Sequence, residues 1–499
     1  MNFAPLASLS SDRRRWVTLV VVCMAQLMIV LDVTIVNVAL PSIQRDLHFS
    51  QANLSWVVNA FLVTFGSLLL LAGRLGDLAG RKRVFLAGLT VFTLASLLCG
   101  IAPSQGVLIG ARFLQGVGAA AQASVILAII VTEFHEPADR ARAMSAYVFV
   151  SVAGGSLGLL AGGLLTQALS WHWVFFVNLP IGAVTYALGR ALIRSDEGAG
   201  LGHGVDWLGS VLVTTSLMSA IYAIVKATDH GWGSSTVLGF GGLAVALMSA
   251  FIALEGRIEN PIMPLRILRL RGLVNASLVR GLMVTGMYST FFLGTLYLEH
   301  VRHYGALQTG AAFLPWTLTV AVLSRGITAR LVQRFGPLAV LTSGMAVAAG
   351  GLVLFGTVGP HTAYFPTIFV ANIALGLGIG NAFMPLLTLA MEDVPDADAG
   401  LGSGITNVSQ QLGGALGLAA LSTLATDHTK SLLASHHGLT SSLIGGYHLG
   451  FFVAAGATVG AILLALALLT PRRVRPELEL EPDEATPTLA NLELEQQAA

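Results

Sequence analysis

Apolar residues gather along this chain in about fourteen long runs between Trp16 and Thr470, separated by short polar segments. Each run is roughly twenty residues, the length at which a helix rising 1.5 Å per residue crosses about 30 Å of hydrocarbon. The runs begin near Trp16, Asn53, Val84, Gly106, Ala143, Trp173, Val205, Ser235, Gly272, Leu307, Pro337, Ala363, Gly402 and Tyr447. In a bilayer every backbone N–H and C=O must be satisfied internally, so the pattern predicts an all-α integral membrane protein. Loops this short leave no room for a soluble catalytic domain, and the function must reside in the bundle.

Composition agrees: 55% of residues are hydrophobic and only 11% charged. The net charge of +1 gives no reason to expect nucleic acid as a partner, so the distribution of charge carries the information. With the N-terminus inside, about 21 of the 27 Lys and Arg fall on the cytoplasmic side, among them Arg13 to Arg15, Arg81 to Arg83, Arg266, Arg269, Arg271, Arg472 and Arg473. Only Arg45, Lys226, Arg302 and Lys430 fall outside. The asymmetry predicts a multi-pass plasma-membrane protein with both termini cytoplasmic. The first run has no small-residue cleavage site after it and reads as a retained helix. Trp16, Trp56, Trp171, Trp173 and Trp207 stand at run ends, where an amphipathic ring suits the headgroup layer. Cys23 and Cys99 fall inside runs and are expected to pack rather than pair or bind metal. One loop, Met391 to Ala399, breaks the charge rule, with Glu392, Asp393, Asp396, Asp398 and no base. Two readings are open: a solvated turn in which Asp398 caps the next helix, or a partner for the basic inner loops.

The chain also repeats itself. At an offset of about 256 residues, Gly73 to Gly80 (GRLGDLAG) falls on Ala329 to Gly336 (ARLVQRFG), and the Gly-rich fifth run approaches the Gly-rich thirteenth. This predicts a cytoplasmic N-terminus (1–15), a six-helix bundle (16–195), two inserted helices with their loops (196–271), a second six-helix bundle (272–470) and a disordered cytoplasmic tail (471–499). Parallel halves of this kind hold a substrate near the midplane between them and work by rocking.

Three segments carry a family resemblance. The first, Gly73-Arg74-Leu75-Gly76-Asp77-Leu78-Ala79-Gly80-Arg81-Lys82-Arg83, resembles the signature loop between helices two and three of the major facilitator superfamily. The second, Leu31 to Pro41 (LDVTIVNVALP), and the third, Leu108 to Ala120 (LIGARFLQGVGAA), are similar to the first- and fourth-helix motifs of its fourteen-helix drug:proton antiporters of EmrB/QacA type. Trp171 to Gly182 also matches that group. The resemblance implies the major facilitator fold, two six-helix bundles plus two inserted helices. It also implies that Gly73, Asp77, Gly80 and Arg81 form a conformational latch at the cytoplasmic face, for which Glu133 is the expected partner of Arg81. The family's fifth-helix antiporter motif is matched by Gly154, Gly158, Gly162 and Gly163, but Leu159 stands where its proline belongs, which weakens the direct argument for antiport.

Asp32 is the residue of greatest chemical interest. An ionisable group within hydrocarbon costs about 2.5–3.5 kcal/mol or more and is a functional candidate by default. Counted from Trp16 it lies about 24 Å up a 30 Å core. Burial there favours the protonated acid, while a neighbouring cation opposes this. Arg112, about 9 Å down from the outer surface in the fourth run, is at similar depth. A proton-coupling pair with Asp32 is one reading; the others are, for Asp32, a structural carboxylate bonded between helices or an aspartate already in outer water, and for Arg112, an arginine that snorkels outward or bonds helix backbones. Asn37, Gln115, Asn407 and Gln411 are candidate polar groups of the cavity.

No nucleophile with a base, metal-ligand spacing or Walker loop occurs, so neither an enzyme nor a primary pump is expected. The leading expectation is a monomeric secondary transporter without cofactor, driven by the proton gradient, which exports small lipophilic compounds or drugs. With no clear second acid in the spans, the substrates are expected to be neutral or monocationic. An exporter dedicated to one metabolite or self-made antibiotic is the alternative, and a non-transporting membrane sensor or scaffold is the rival class.

Overall fold

The apolar runs become helices, as backbone satisfaction in hydrocarbon requires. The computed structural model describes residues 11–469 except 50–53, 55, 197, 199, 201–205, 259–260 and 262. The expected tail 471–499 and the first ten residues lie outside the described residues. The first helices are α1 (Ser11–Asp46), α2 (Trp56–Ala79), α3 (Arg81–Gly100), α4 (Gln105–Glu133), α5 (Pro137–Ala168) and α6 (Trp173–Leu192). They are followed by α7 (Trp207–His230), α8 (Ser235–Glu255) and α9 (Arg271–Leu296). Three short helices come next, α10 (Ala306–Ala312), α11 (Leu314–Ser324) and α12 (Ile327–Phe335), and then α13 (Pro337–Phe355), α14 (Phe369–Met391), α15 (Ala399–Ala434) and α16 (Leu439–Leu468).

Among the described residues, 12 helices are long and apolar enough to cross a membrane. Two of the fourteen sequence runs take another form. The tenth is broken into α10, α11 and α12: Pro315 lacks the N–H that would bond back to Ala311, and Gly326 turns the chain with a left-handed φ of 95°. The thirteenth becomes α15, a continuous helix of 36 residues, about 54 Å long. Its Gly, Ser, Thr, Asn and Gln between Gly402 and Gly417 keep it below the hydropathy of the 12 candidate spans.

Helix starts follow local chemistry. Pro137 and Pro337 occupy first-turn positions, where the missing N–H has no partner to lose. The side chains of Asp206 and Ser234 accept from Gly209 and Val237 to open α7 and α8. The first two amides of α3 are met from a distance, Asp196 accepting from Arg81 at 2.8 Å and Lys82 at 3.3 Å.

The internal repeat is visible in backbone geometry. Gly80 and Gly336, 256 residues apart, both have a left-handed φ, 98° and 83°, and a new helix starts directly after each. Only glycine adopts such a turn without strain. Gly118 of α4 lies against the backbone of α3 at Gly88 and Phe92; Gly378 of α14 lies against that of α13 at Ala348. Phe92 and Ala348 are again 256 apart. Small residues let the paired helices approach to backbone contact. The α7–α8 hairpin rests on a different surface, α7 packing against both α2 and α15.

Trp171 departs from the expected headgroup position. It is 4% exposed and its indole N–H donates to Asp46 at 2.8 Å, tying the segment before α6 to the end of α1. Both cysteines are free and buried.

The glycine contacts predict a stability series. An added Cβ at Gly118 or Gly378 meets backbone that cannot retreat, and such overpacking costs about 1–3 kcal/mol, more than the roughly 1 kcal/mol alanine gains over glycine in a helix. Gly118→Ala and Gly378→Ala should therefore lower the melting temperature of the purified protein in detergent. Gly163→Ala, with open space around it, should leave it unchanged or slightly raised. An unaltered melting temperature in Gly118→Ala would refute the close approach.

Candidate functional site

Two charged constellations emerge, one inside the first six helices and one between them and the later helices. In the first, Asp32 of α1 and Arg112 of α4 are 0% and 1% exposed, and Arg112 Nη1 donates to Asp32 Oδ2 at 2.5 Å. Gln115, one turn beyond Arg112 on the same helix face, donates from Nε2 to Asp32 Oδ1 at 2.7 Å and accepts from Arg112 Nη1 at 2.6 Å. Arg112 Nε donates to the Val57 carbonyl of α2 at 2.7 Å. The Phe61 and Phe175 rings lie 4.6 and 5.9 Å from the guanidinium carbon. Ser96 of α3 accepts from Gln115 at 2.8 Å and from Asn178 of α6 at 3.4 Å. Five of the six helices, all but α5, thus contribute, and both carboxylate oxygens are occupied.

A buried ion pair survives when geometry and further hydrogen bonds offset desolvation, and removing one partner costs about 3–5 kcal/mol. Protonating Asp32 removes one charge of the pair and strands the other. The chemical capacity of the cluster is therefore to link one proton to a rearrangement of α1 against α4.

The second constellation lies where α2 turns into α3. Asp77, 5% exposed, accepts from the backbone N–H groups of Gly400 and Leu401, both at 2.8 Å. These are first-turn amides of α15, so a carboxylate on one helix end caps another more than three hundred residues away, the favoured place for an anion. The approach depends on glycine on both sides: a Cβ on Gly400 would come 2.7 Å from Asp77 Oδ1, and one on Gly73 would collide with the Gly400 carbonyl. Arg81 donates to Asp77 Oδ1 at 3.2 Å and to the Asp396 carbonyl. Asp398 pairs with Arg266 at 2.8 Å and with Arg74 at 3.7 Å, and its side chain does not cap α15. The acidic loop is therefore the partner of the basic segments.

Glu133 requires a correction. It lines the same crevice as Arg81, but its ion pair is with Arg194 at 3.6 Å, while Arg81 is committed to Asp77 and Asp396. Gly163 differs from its neighbours: it is buried, yet an added Cβ would meet open space rather than a partner helix. Gly154, Gly158 and Gly162 receive Val30, Thr34 and Ile35 of α1 in turn, while Leu159 and Leu160 cover Gly310 of α10.

The candidate cavity groups scatter. Asn37 is exposed and bonds its own helix at the Val33 carbonyl. Gln115 belongs to the Asp32 cluster. Asn407 of α15 donates to the Ala123 carbonyl of α4 at 3.3 Å, and Gln411 lies beside Gly66 of α2. The sequence reading omitted Arg280 of α9, 1% exposed, although a base eight residues into an apolar run was signal enough.

Removing the Asp77 charge should weaken the cap without disturbing insertion. In a background whose native cysteines are replaced, Ser403→Cys, at a position with no exposure, should resist a membrane-impermeant thiol reagent applied to the α2–α3 turn side. Adding Asp77→Asn should raise its labelling severalfold while lowering transport. Equal labelling and full transport would remove Asp77 from the conformational cycle.

The sequence comparisons agree with this architecture. The family model described as Major Facilitator Superfamily matches residues 22–418. The puromycin resistance protein pur8 of Streptomyces alboniger is 41% identical over 459 residues, 92% of this chain and 91% of that protein. The cephamycin export protein CmcT of Amycolatopsis lactamdurans is 35% identical, covering 91% of this chain and 93% of its own length. The multidrug resistance protein Stp of Mycobacterium tuberculosis is 31% identical over 85% of this chain and 78% of its own. Among solved structures, the human organic anion transporter MFSD10 (TETRAN) superposes with a TM-score of 0.62 over 92% of this chain and 100% of that one, at 16% identity, a likeness of fold. With helices of membrane-spanning length, a repeated architecture and relatives aligned over nearly its whole length, the chain belongs to the Major Facilitator Superfamily.

Proposed function

We propose that this transporter exports small lipophilic drugs or antibiotics in exchange for protons, by alternating access. Relatives aligned over most of the chain are named for resistance to puromycin, for cephamycin export and for multidrug resistance. The observation that carries the proton part is the buried Asp32–Arg112–Gln115 cluster. It is an acid inside the hydrocarbon layer, paired closely enough that gaining a proton must alter its neighbours.

In this reading the chain crosses the membrane fourteen times, the broken α10–α12 stretch and the long α15 each counting once. Residues 16–195 and 272–470 form the two rocking halves, and the helices within 196–271 are inserted between them. The face of the α2–α3 turn is cytoplasmic, since the basic residues gather there, and both termini share it. Asp77, Arg81 and the glycines at 73 and 400 then hold the cytoplasmic side closed, as an outward-facing transporter requires. The working unit is a monomer in the plasma membrane, with the proton gradient as energy source and no cofactor. A dedicated exporter of one self-made antibiotic is the second reading, favoured by relatives each named for a single compound, lincomycin and methylenomycin A among them.

The test is Asp32→Asn, which keeps the size of the side chain and one acceptor oxygen while removing the ionisable group. One charge crossing 100 mV supplies about 2.3 kcal/mol, roughly a fifty-fold gradient at about 1.4 kcal/mol per tenfold. Dye accumulation in energised vesicles should therefore collapse in the variant, and substrate-induced proton release with it, while downhill exchange persists. Undiminished proton-driven export at matched expression would leave Asp32 a structural residue.

A further inference from the structure

Among the described residues two arginines are almost wholly buried, and only one of them has a counter-charge. Arg112 is matched by Asp32. Arg280, equally buried, has no carboxylate within salt-bridge distance among the described residues. Its Nη1 reaches the Thr406 carbonyl at 3.3 Å, its Nη2 donates to the Gln410 side-chain oxygen, and its Nε has no partner. The Phe383 ring lies 5.0 Å from the guanidinium carbon, and the side chains of Tyr147 and Tyr288 face it. Gln410 in turn donates to the Tyr288 hydroxyl at 3.4 Å.

The other buried carboxylates among the described residues, Asp77, Glu255 and Asp398, stand at helix ends of the basic face. Neutral acceptors and a ring face satisfy part of the guanidinium but leave its charge uncompensated, and an unmatched buried charge is strongly destabilising. A fold retains such a group where something else supplies the opposite charge.

Position says what that is. Arg280 is nine residues into α9, Tyr147 ten into α5 and Gln410 eleven into α15, so all stand about 14–17 Å from the starts of their helices, at mid-depth of a roughly 30 Å core. Tyr147 belongs to the first six helices and the rest of the group to the later ones. The cluster thus occupies the seam that opens when two halves rock, at the depth where substrates of such transporters are held. The planar guanidinium fork fits a carboxylate with two parallel N–H donors, and phenol hydroxyls can donate to the same oxygens.

We propose that Arg280, with Tyr147, Tyr288 and Gln410, is the site that recognises a carboxylate group on the exported compound, so that lipophilic organic monoanions are substrates. This rests on and deepens the export reading above, and it replaces the sequence-based expectation of neutral or monocationic compounds: a cation would meet the uncompensated charge of Arg280 and be repelled.

The test uses 1-pyrenebutyrate and its methyl ester, which differ by one negative charge. Equilibrium binding to the purified full-length protein in detergent is read by fluorescence, with no proton gradient present. The parent should bind the carboxylate at least tenfold more tightly than the ester. Arg280→Gln should erase that preference while leaving ester affinity unchanged, and Arg280→Lys should retain part of it. Should Arg280→Gln fail to fold, Tyr147→Phe and Tyr288→Phe keep the rings and should weaken carboxylate binding severalfold with the ester unaffected. Asp32→Asn should keep the full preference, which separates failure of this site from failure of proton coupling. A parent that binds acid and ester alike, or an Arg280→Gln variant that keeps the preference, would overturn the proposal.

Discussion

The contact on which the arrangement of the two helix sets depends is the carboxylate of Asp77 held by the first amides of α15. A helix N-terminus offers unsatisfied donors and a partial positive charge, and where it is buried against another helix neither can be left to water. Asp77 meets both needs from across the interface, and Arg81 balances its charge from one helical turn away. Around this point the rest follows: glycines at 73 and 400 because nothing larger leaves room, a glycine at 80 because the turn into α3 needs a left-handed backbone, and an acidic loop facing Arg74 and Arg266. The second copy of the turn keeps its glycine at 336 but carries Gln333 where Asp77 stands in the first. The repeat has preserved its geometry and specialised its chemistry.

Asp32–Arg112 and Arg280 show how differently the same interior treats charge. The former is a closed set whose members satisfy one another within five of the first six helices. Arg280 lies in a looser ring of neutral acceptors drawn from four helices, α5, α9, α14 and α15. Tyr288 occupies the position 256 residues beyond Asp32, so the acid of the first repeat has a phenol as its counterpart in the second. One half therefore carries a neutral ion pair, and the other a net positive centre.

Much of the fold was legible because its cause is local. A run of about twenty apolar residues is a helix in hydrocarbon whatever surrounds it, and a glycine-bearing turn repeated at a fixed offset announces two copies of one design. Asp32 and Arg112 could be matched from depth alone, since both are counted along straight helices. What remained hidden depends on neighbours far apart in sequence. Glu133 and Arg194 meet because the end of α4 and the residues just after α6 line one crevice, a pairing no spacing encodes. Arg280 stands out in the sequence as a base within an apolar run, but that it lacks a counter-charge is visible only once α5, α14 and α15 are seen to bring it no acid. The break at Pro315 could be anticipated from proline chemistry; the polar length of α15 concealed a continuous helix for the opposite reason, too little hydrophobic signal.

The Asp77 cap joins a side chain to main-chain atoms, and this has an evolutionary consequence. Residues 400 and 401 offer their N–H groups whatever side chains they bear, so that end of the contact can be lost through bulk or proline but cannot be retuned by exchanging one functional group for another. All chemical variation must occur at position 77, with no compensating change available opposite. Across descendants of such a chain the interface should leave almost no trace of paired substitutions, although it joins elements more than three hundred residues apart. A reader searching for correlated positions would see an acid and a glycine, each apparently fixed for reasons of its own.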